Sequence, residues 1–150
     1  MTVDARVDVR QRLAAIADRL ASAARSAVGR PVPPGEWGPA EVVRHLIAVE
    51  EVVWLARLRQ LAAEERPTWP WVEPEPWQGS PGATIDELLA EFAARRRETL
   101  AILDGFEDDG WARTGIHATW GEVDVVELMI RAIDHDDEHI AGLATPTGAQ

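Results

Sequence analysis

The stretch Arg131–Ile140, RAIDHDDEHI, decides how this chain is read. It sets His135 and His139 four residues apart inside a run with helical periodicity. At about 100° per residue, Val125, Leu128, Ala132, His135 and His139 fall within one narrow arc, while Glu127, Arg131, Asp134 and Glu138 share another. The apolar stripe of an amphipathic helix thus carries two imidazoles one turn apart, their Cβ atoms about 6 Å from each other. Two imidazoles at that spacing can converge on one ion at about 2.0–2.1 Å each. The competing explanation is a pair of histidines satisfied inside a core.

Working outward, a third histidine has the same character. In a helix opened by WGPAEV, residues Val42, His45, Val49, Val52 and Ala56 form a comparable inward stripe. Three of the chain's four histidines therefore point inward, which favours a metal over three separate core histidines. Three imidazoles are neutral, so a divalent ion would keep its charge and open positions for water or substrate, as a catalytic site requires. His45 lies early in its helix, whereas His135 and His139 lie near the end of theirs. They meet at one level only if the two helices are antiparallel. A simple up-down-up-down bundle would make them parallel, so the expected order is up-down-down-up. The connection Arg66–Ala83 must then run the length of the bundle. The helix it serves, of about 20 residues, spans about 30 Å, within reach of a linker extending up to about 3.3 Å per residue.

The remaining elements fit this plan. A first helix is predicted from about Asp4 to Val28, with Leu13, Ile16, Leu20 and Ala24 inward and Gly29 and Pro31 ending it. The second starts with Gly38 as N-cap and Pro39 at the first helical position, Trp37 and Val42 being spaced as a hydrophobic staple, and continues to about Glu65. The third starts at Thr84 with Glu87 in capping-box spacing and ends at Gly105, and the fourth starts at Asp124 with Glu127 likewise and ends near Gly142. No strong strand signal is present. The expected fold is all-α: one four-helix bundle over residues 1–150, with about 1–3 and 144–150 disordered and a long Pro/Trp-rich crossover between the second and third helices. That crossover holds five prolines with Trp69, Trp71 and Trp77, and the connection Phe106–Val123 holds Trp111, His117 and Trp120. Connections this long are uncommon and often functional.

Composition narrows the function. The net charge is −11, which argues against nucleic acid or an anionic membrane surface as partner. The run Arg95–Arg97 spreads over a wide arc and reads as a mostly solvated face. With no cysteine, the chain has no thiol of its own to serve as nucleophile or ligand. The start, MTVDARVDVRQR, has no apolar h-region, so no signal peptide or membrane span is expected and the cytoplasm is the default location.

EWGPAEVVRHLIAVEE and VDVVELMIRAIDHDDEHIAGL resemble the second- and fourth-helix signatures of DinB-like proteins, the superfamily of the YfiT-type thiol-transferase relatives. The resemblance implies the up-down-down-up bundle, with a metal held by His45, His135 and His139. It implies Zn²⁺ first, with Ni, Fe or Mn also compatible. It further implies activation of a low-molecular-weight thiol, such as bacillithiol, mycothiol or glutathione, as co-substrate. The alanine- and arginine-rich usage suggests a GC-rich bacterium.

Other residues carry weaker expectations. Trp37, and Trp77 at the end of the crossover, are placed to wall a substrate pocket at the metal end, though covering the bundle end would explain each as well. His117 is expected at the opposite end. Asp134, Asp136 and Asp137 read as solvated charge, and Glu50 lies off the histidine stripe. No side chain stands out as a catalytic acid or base. The expected function is a metal-dependent hydrolase or transferase that activates water or a small thiol for a small-molecule substrate. The alternative is a non-enzymatic metal- or small-molecule-binding bundle, a sensor or dimerisation module; a homodimer is compatible with either.

Overall fold

Thr2 starts the first helix, α1 (Val3–Ala27), by accepting a hydrogen bond from the Ala5 amide at 3.1 Å. The computed structural model describes residues 2–145, so the expectation for Met1 and for Pro146 onward lies outside the described residues. Val9, Leu13, Ile16, Leu20 and Ala24 form the buried stripe of α1. Beyond its end Gly29 takes φ +86°, a left-handed conformation open to glycine at little steric cost.

Gly38 and Pro39 open α2 (Pro39–Val49), which passes into a π-helical stretch (Glu50–Leu55) and then α3 (Ala56–Ala63). The wider π turn shifts the helix face by about one residue. Val52, expected inward, is consequently 49% exposed, while Val53, Trp54 and Arg57 are buried. Thr84 caps α4 (Ile85–Gly105), and Asp124 with Glu127 forms a complete capping box on α6 (Val125–Ala144). Between them lies the short α5 (Asp108–Trp111). One apolar cluster draws on α1, α2, α4 and α6, including Leu20, Leu46, Phe92 and Leu128. No helix among the described residues is long and apolar enough to cross a membrane.

The chain is mostly helical, but the expectation that it lacks strands is corrected. β1 (Thr68–Trp69), β2 (Thr114–His117) and β3 (Gly121–Asp124) form a small sheet in the order β1-β2-β3. β1 lies parallel to β2, and β2 and β3 form an antiparallel hairpin in which His117 pairs with Gly121. The sheet thus ties the crossover to the connection before α6. Gly115 lies under the Trp69 indole, where any Cβ would overlap the ring.

The polar interior is also a correction. Arg96 is 1% exposed rather than part of a solvated face, because it shares the inward stripe of Phe92, Thr99 and Leu103. It donates to both carboxylate oxygens of Glu50, at 2.9 and 2.7 Å, and to Asp136 and the Leu13 carbonyl. Thr99 donates to Glu50 at 2.7 Å. Asp136, read as solvated, is buried because it supplies Arg96 with a second counter-charge.

Candidate metal centre and its cavity

His45 comes from α2 and His135 and His139 from successive turns of α6. One ring nitrogen from each can be chosen so that all three lie within 4.8 Å of one another. His45 Nε2 and His135 Nε2 are 3.3 Å apart, and the ring centroids are separated by 4.8–5.2 Å. Two ligands at about 2.1 Å in a tetrahedral arrangement would be about 3.4 Å apart, so this donor pair already has the spacing an ion requires. Burial first, then the neighbouring imidazoles of His139 and His135, lowers the His45 pKa to about 4. Burial and His135 lower that of His139. Both rings therefore favour the neutral form, the form that ligates. The Nδ1 atoms of His45 and His135 are buried without hydrogen-bond partners. Asp136 Oδ1 approaches His135 Nδ1 at 3.7 Å, beyond hydrogen-bonding reach. The residues thus fit a divalent ion in number, chemistry and spacing.

His45 and His135 line a cavity of about 610 Å³. Trp37 borders it, with its ring 5.0 Å from that of His45. Trp77 is not among the residues that line it. The crossover does return to the start of α2, where Trp77 N–H donates to the Arg44 carbonyl at 3.1 Å and Arg44 donates back to the carbonyls of Trp77, Gly79 and Ser80. The Trp77 ring, however, packs between the guanidinium groups of Arg44 and Arg95, 5.7 and 5.0 Å from its centroid.

The aromatic walls come instead from Trp54, Trp71 and Trp120. Trp54 meets His135 edge-on at 6.2 Å, and Trp71 meets Trp120 edge-on at the same distance. His117, expected at the far end, borders this same cavity. The β2–β3 hairpin carries it alongside α6, where it stacks on Trp120 at 3.8 Å while Arg131 covers Trp120. Arg57 reaches the cavity because of the π turn. Glu73, Glu75, Asp134 and Glu138 also border it.

The class is thus a helical bundle with a three-histidine cluster at a cavity. The DinB superfamily model matches residues 2–142, and the chain belongs to that family. Among solved structures it is similar to YfiT from Bacillus subtilis, a probable metal-dependent hydrolase with an unusual four-helix bundle topology. The TM-score is 0.75 and the identity 20%, with 95% of this chain and 86% of that one covered. No curated protein matches the sequence.

Proposed function

We propose that the protein is a metal-dependent hydrolase or transferase in which His45, His135 and His139 hold a divalent ion, zinc being the first choice. The observation that carries this reading is the convergence of the three ring nitrogens beside a 610 Å³ cavity. YfiT, described as a probable metal-dependent hydrolase, lends it support. When bound, the ion would supply Lewis acidity, lowering the pKa of a water or small thiol near it. The chain's own residues keep the His45 and His139 imidazoles neutral by burial and flank the cluster with the indoles of Trp37 and Trp54. No thiol belongs to the chain, so a thiol nucleophile has to come from solution.

The up-down-down-up order belongs to the same proposal. Its support is a set of ion pairs. Arg10–Asp104 and Arg25–Asp86 match the two ends of α1 to opposite ends of α4. Glu51–Arg95 and Arg59–Glu98 run in the same sense along the second helix and α4. Arg19–Asp137 links α1 to α6. We also propose one domain, a small-molecule substrate and a cytoplasmic setting.

The test is a Co²⁺-substituted protein, whose visible bands report thiolate ligation, titrated with bacillithiol, mycothiol, coenzyme A and glutathione. Metal-dependent turnover of thiol acceptors or of small esters and amides is assayed beside it. Shifted bands with conjugation favour transfer, and turnover with unmoved bands favours hydrolysis. Unmoved bands and no turnover leave the non-enzymatic binding module as the better reading.

A further inference from the structure

Arg57 is 4% exposed, yet no carboxylate lies within ion-pair distance of it among the described residues. It donates to the Pro70 carbonyl at 3.1 Å, and its guanidinium lies over the rings of Trp54 and Trp69. Elsewhere this protein pairs its buried cation fully, giving Arg96 two carboxylates. A buried charge without a counter-ion is costly, and Arg57 borders the cavity rather than the packed core.

His117 presents a second unmatched donor at the same cavity. It is 2% exposed, and its Nδ1 accepts the amides of Thr119 and Trp120 at 2.9 and 3.2 Å. That leaves the proton of the neutral ring on Nε2, which is buried and has no partner. Burial, with the charges of Arg57 and Arg131, lowers the His117 pKa and keeps the ring in this neutral, donating form. Trp54 Nε1–H is a third buried donor without an acceptor. Two buried donors without an acceptor, beside a guanidinium with one backbone acceptor and no counter-ion, have the chemistry of an anion subsite.

We propose that Arg57, His117 and Trp54 receive the carboxylate of the substrate, whose reacting group lies against the histidine cluster. The inference rests on that cluster being the reactive end. Trp54 links the two ends, its ring being 5.9 Å from the Arg57 guanidinium and 6.2 Å from the His135 ring. The acid is therefore small, with its two ends no farther apart than these two distances laid end to end. Trp71 and Trp120, in edge-on contact with each other, give a flat apolar body a wall to lie against. Glu73, Glu75, Asp134 and Glu138 around the same space disfavour a dianion such as a phosphate monoester, so the anion is a monovalent carboxylate.

The test uses 3-phenylpropionate and its neutral isostere 3-phenylpropanamide, titrated by tryptophan fluorescence against chelator-treated and zinc-loaded protein. The acid should bind at least tenfold tighter than the amide in both forms. Arg57→Met, which keeps the stem, should weaken the acid at least tenfold, leave the amide unchanged and still bind one zinc. A charged hydrogen-bond set of about 1.5–3 kcal/mol corresponds to a loss of about tenfold or more. Equal affinity of acid and amide for the native protein overturns the proposal, as does an acid affinity unaffected by Arg57→Met. If Arg57→Met does not fold, the acid–amide comparison on native protein and Arg57→Lys decides. A preference for the acid confined to the zinc-loaded form also overturns it, since the carboxylate would then be held by the ion. Zinc binding that fails while the acid preference persists refutes the metal reading and spares the anion subsite.

Discussion

Replacing Arg96 by Met tests the buried polar network. Arg96, Glu50 and Asp136 are each 1% exposed, and the single guanidinium holds both carboxylates. Methionine fills much of the same volume but leaves two buried acids with no cation. Breaking a buried pair costs about 3–5 kcal/mol, and one cation serving two acids points to the upper part of that range. For a chain of this length, an unfolding entropy of about 2.1 cal/mol/K per residue converts this into a Tm about 13–16 °C lower. The control is Arg10→Met, which removes the exposed pair with Asp104 and should cost under about 1 kcal/mol, or roughly 3 °C. Both are read by circular dichroism melts at pH 7. Replacing Glu50, Arg96 and Asp136 together by apolar residues of similar size should recover most of the loss, because no charge is left unpaired. An Arg96→Met melt within 3 °C of the native one would refute the reasoning.

Gly115→Ala should lower stability by about 1–3 kcal/mol, because its Cβ meets the Trp69 ring; an unchanged urea midpoint would mean that the crossover does not pack there. Asp124→Ala removes the capping box of α6 and should cost about 1 kcal/mol by the same measurement. Metal-free stability should depend on pH through the buried imidazoles. His45 titrates near 4 when folded, against about 6.5 when unfolded, so the unfolded chain binds more protons in between. Its neutral burial is without penalty above pH 6.5, and stability falls as pH drops toward 4; His139 and His117, both lowered, act in the same sense. The urea midpoint measured from pH 7.5 to 4.5 should follow that decline less steeply in His45→Gln, and equal slopes would contradict it.

Much of the bundle is legible in the sequence because helical caps are local. Thr84 with Glu87 and Asp124 with Glu127 each mark a helix start three residues apart, and both caps form. The spacing of His135 and His139 is likewise local, and the inward stripe of the second helix is regular up to His45 and Val49. Beyond Val49 the π turn breaks the register, which no residue pattern announces. The regular stripe therefore predicts Val52 inside and gives no sign of Trp54 and Arg57 as cavity residues. The strands are two to four residues long, and β1 finds its partner far along the chain, so no alternating run is available to read. The position of His117 is hidden for the same reason, since it depends on the hairpin. Arg96 carried a usable signal: it sits four residues after Phe92 and three before Thr99 on a buried stripe, although charge alone suggested solvent.

The central claim is that three imidazoles from two helices hold one ion. The direct measurement is zinc binding by isothermal titration at pH 7.5 to chelator-treated native protein and to His135→Ala, with folding of both checked by circular dichroism. The account predicts one zinc per native chain and no stoichiometric binding by folded His135→Ala. Stoichiometric binding by that variant, or no binding by the folded native protein, would contradict it.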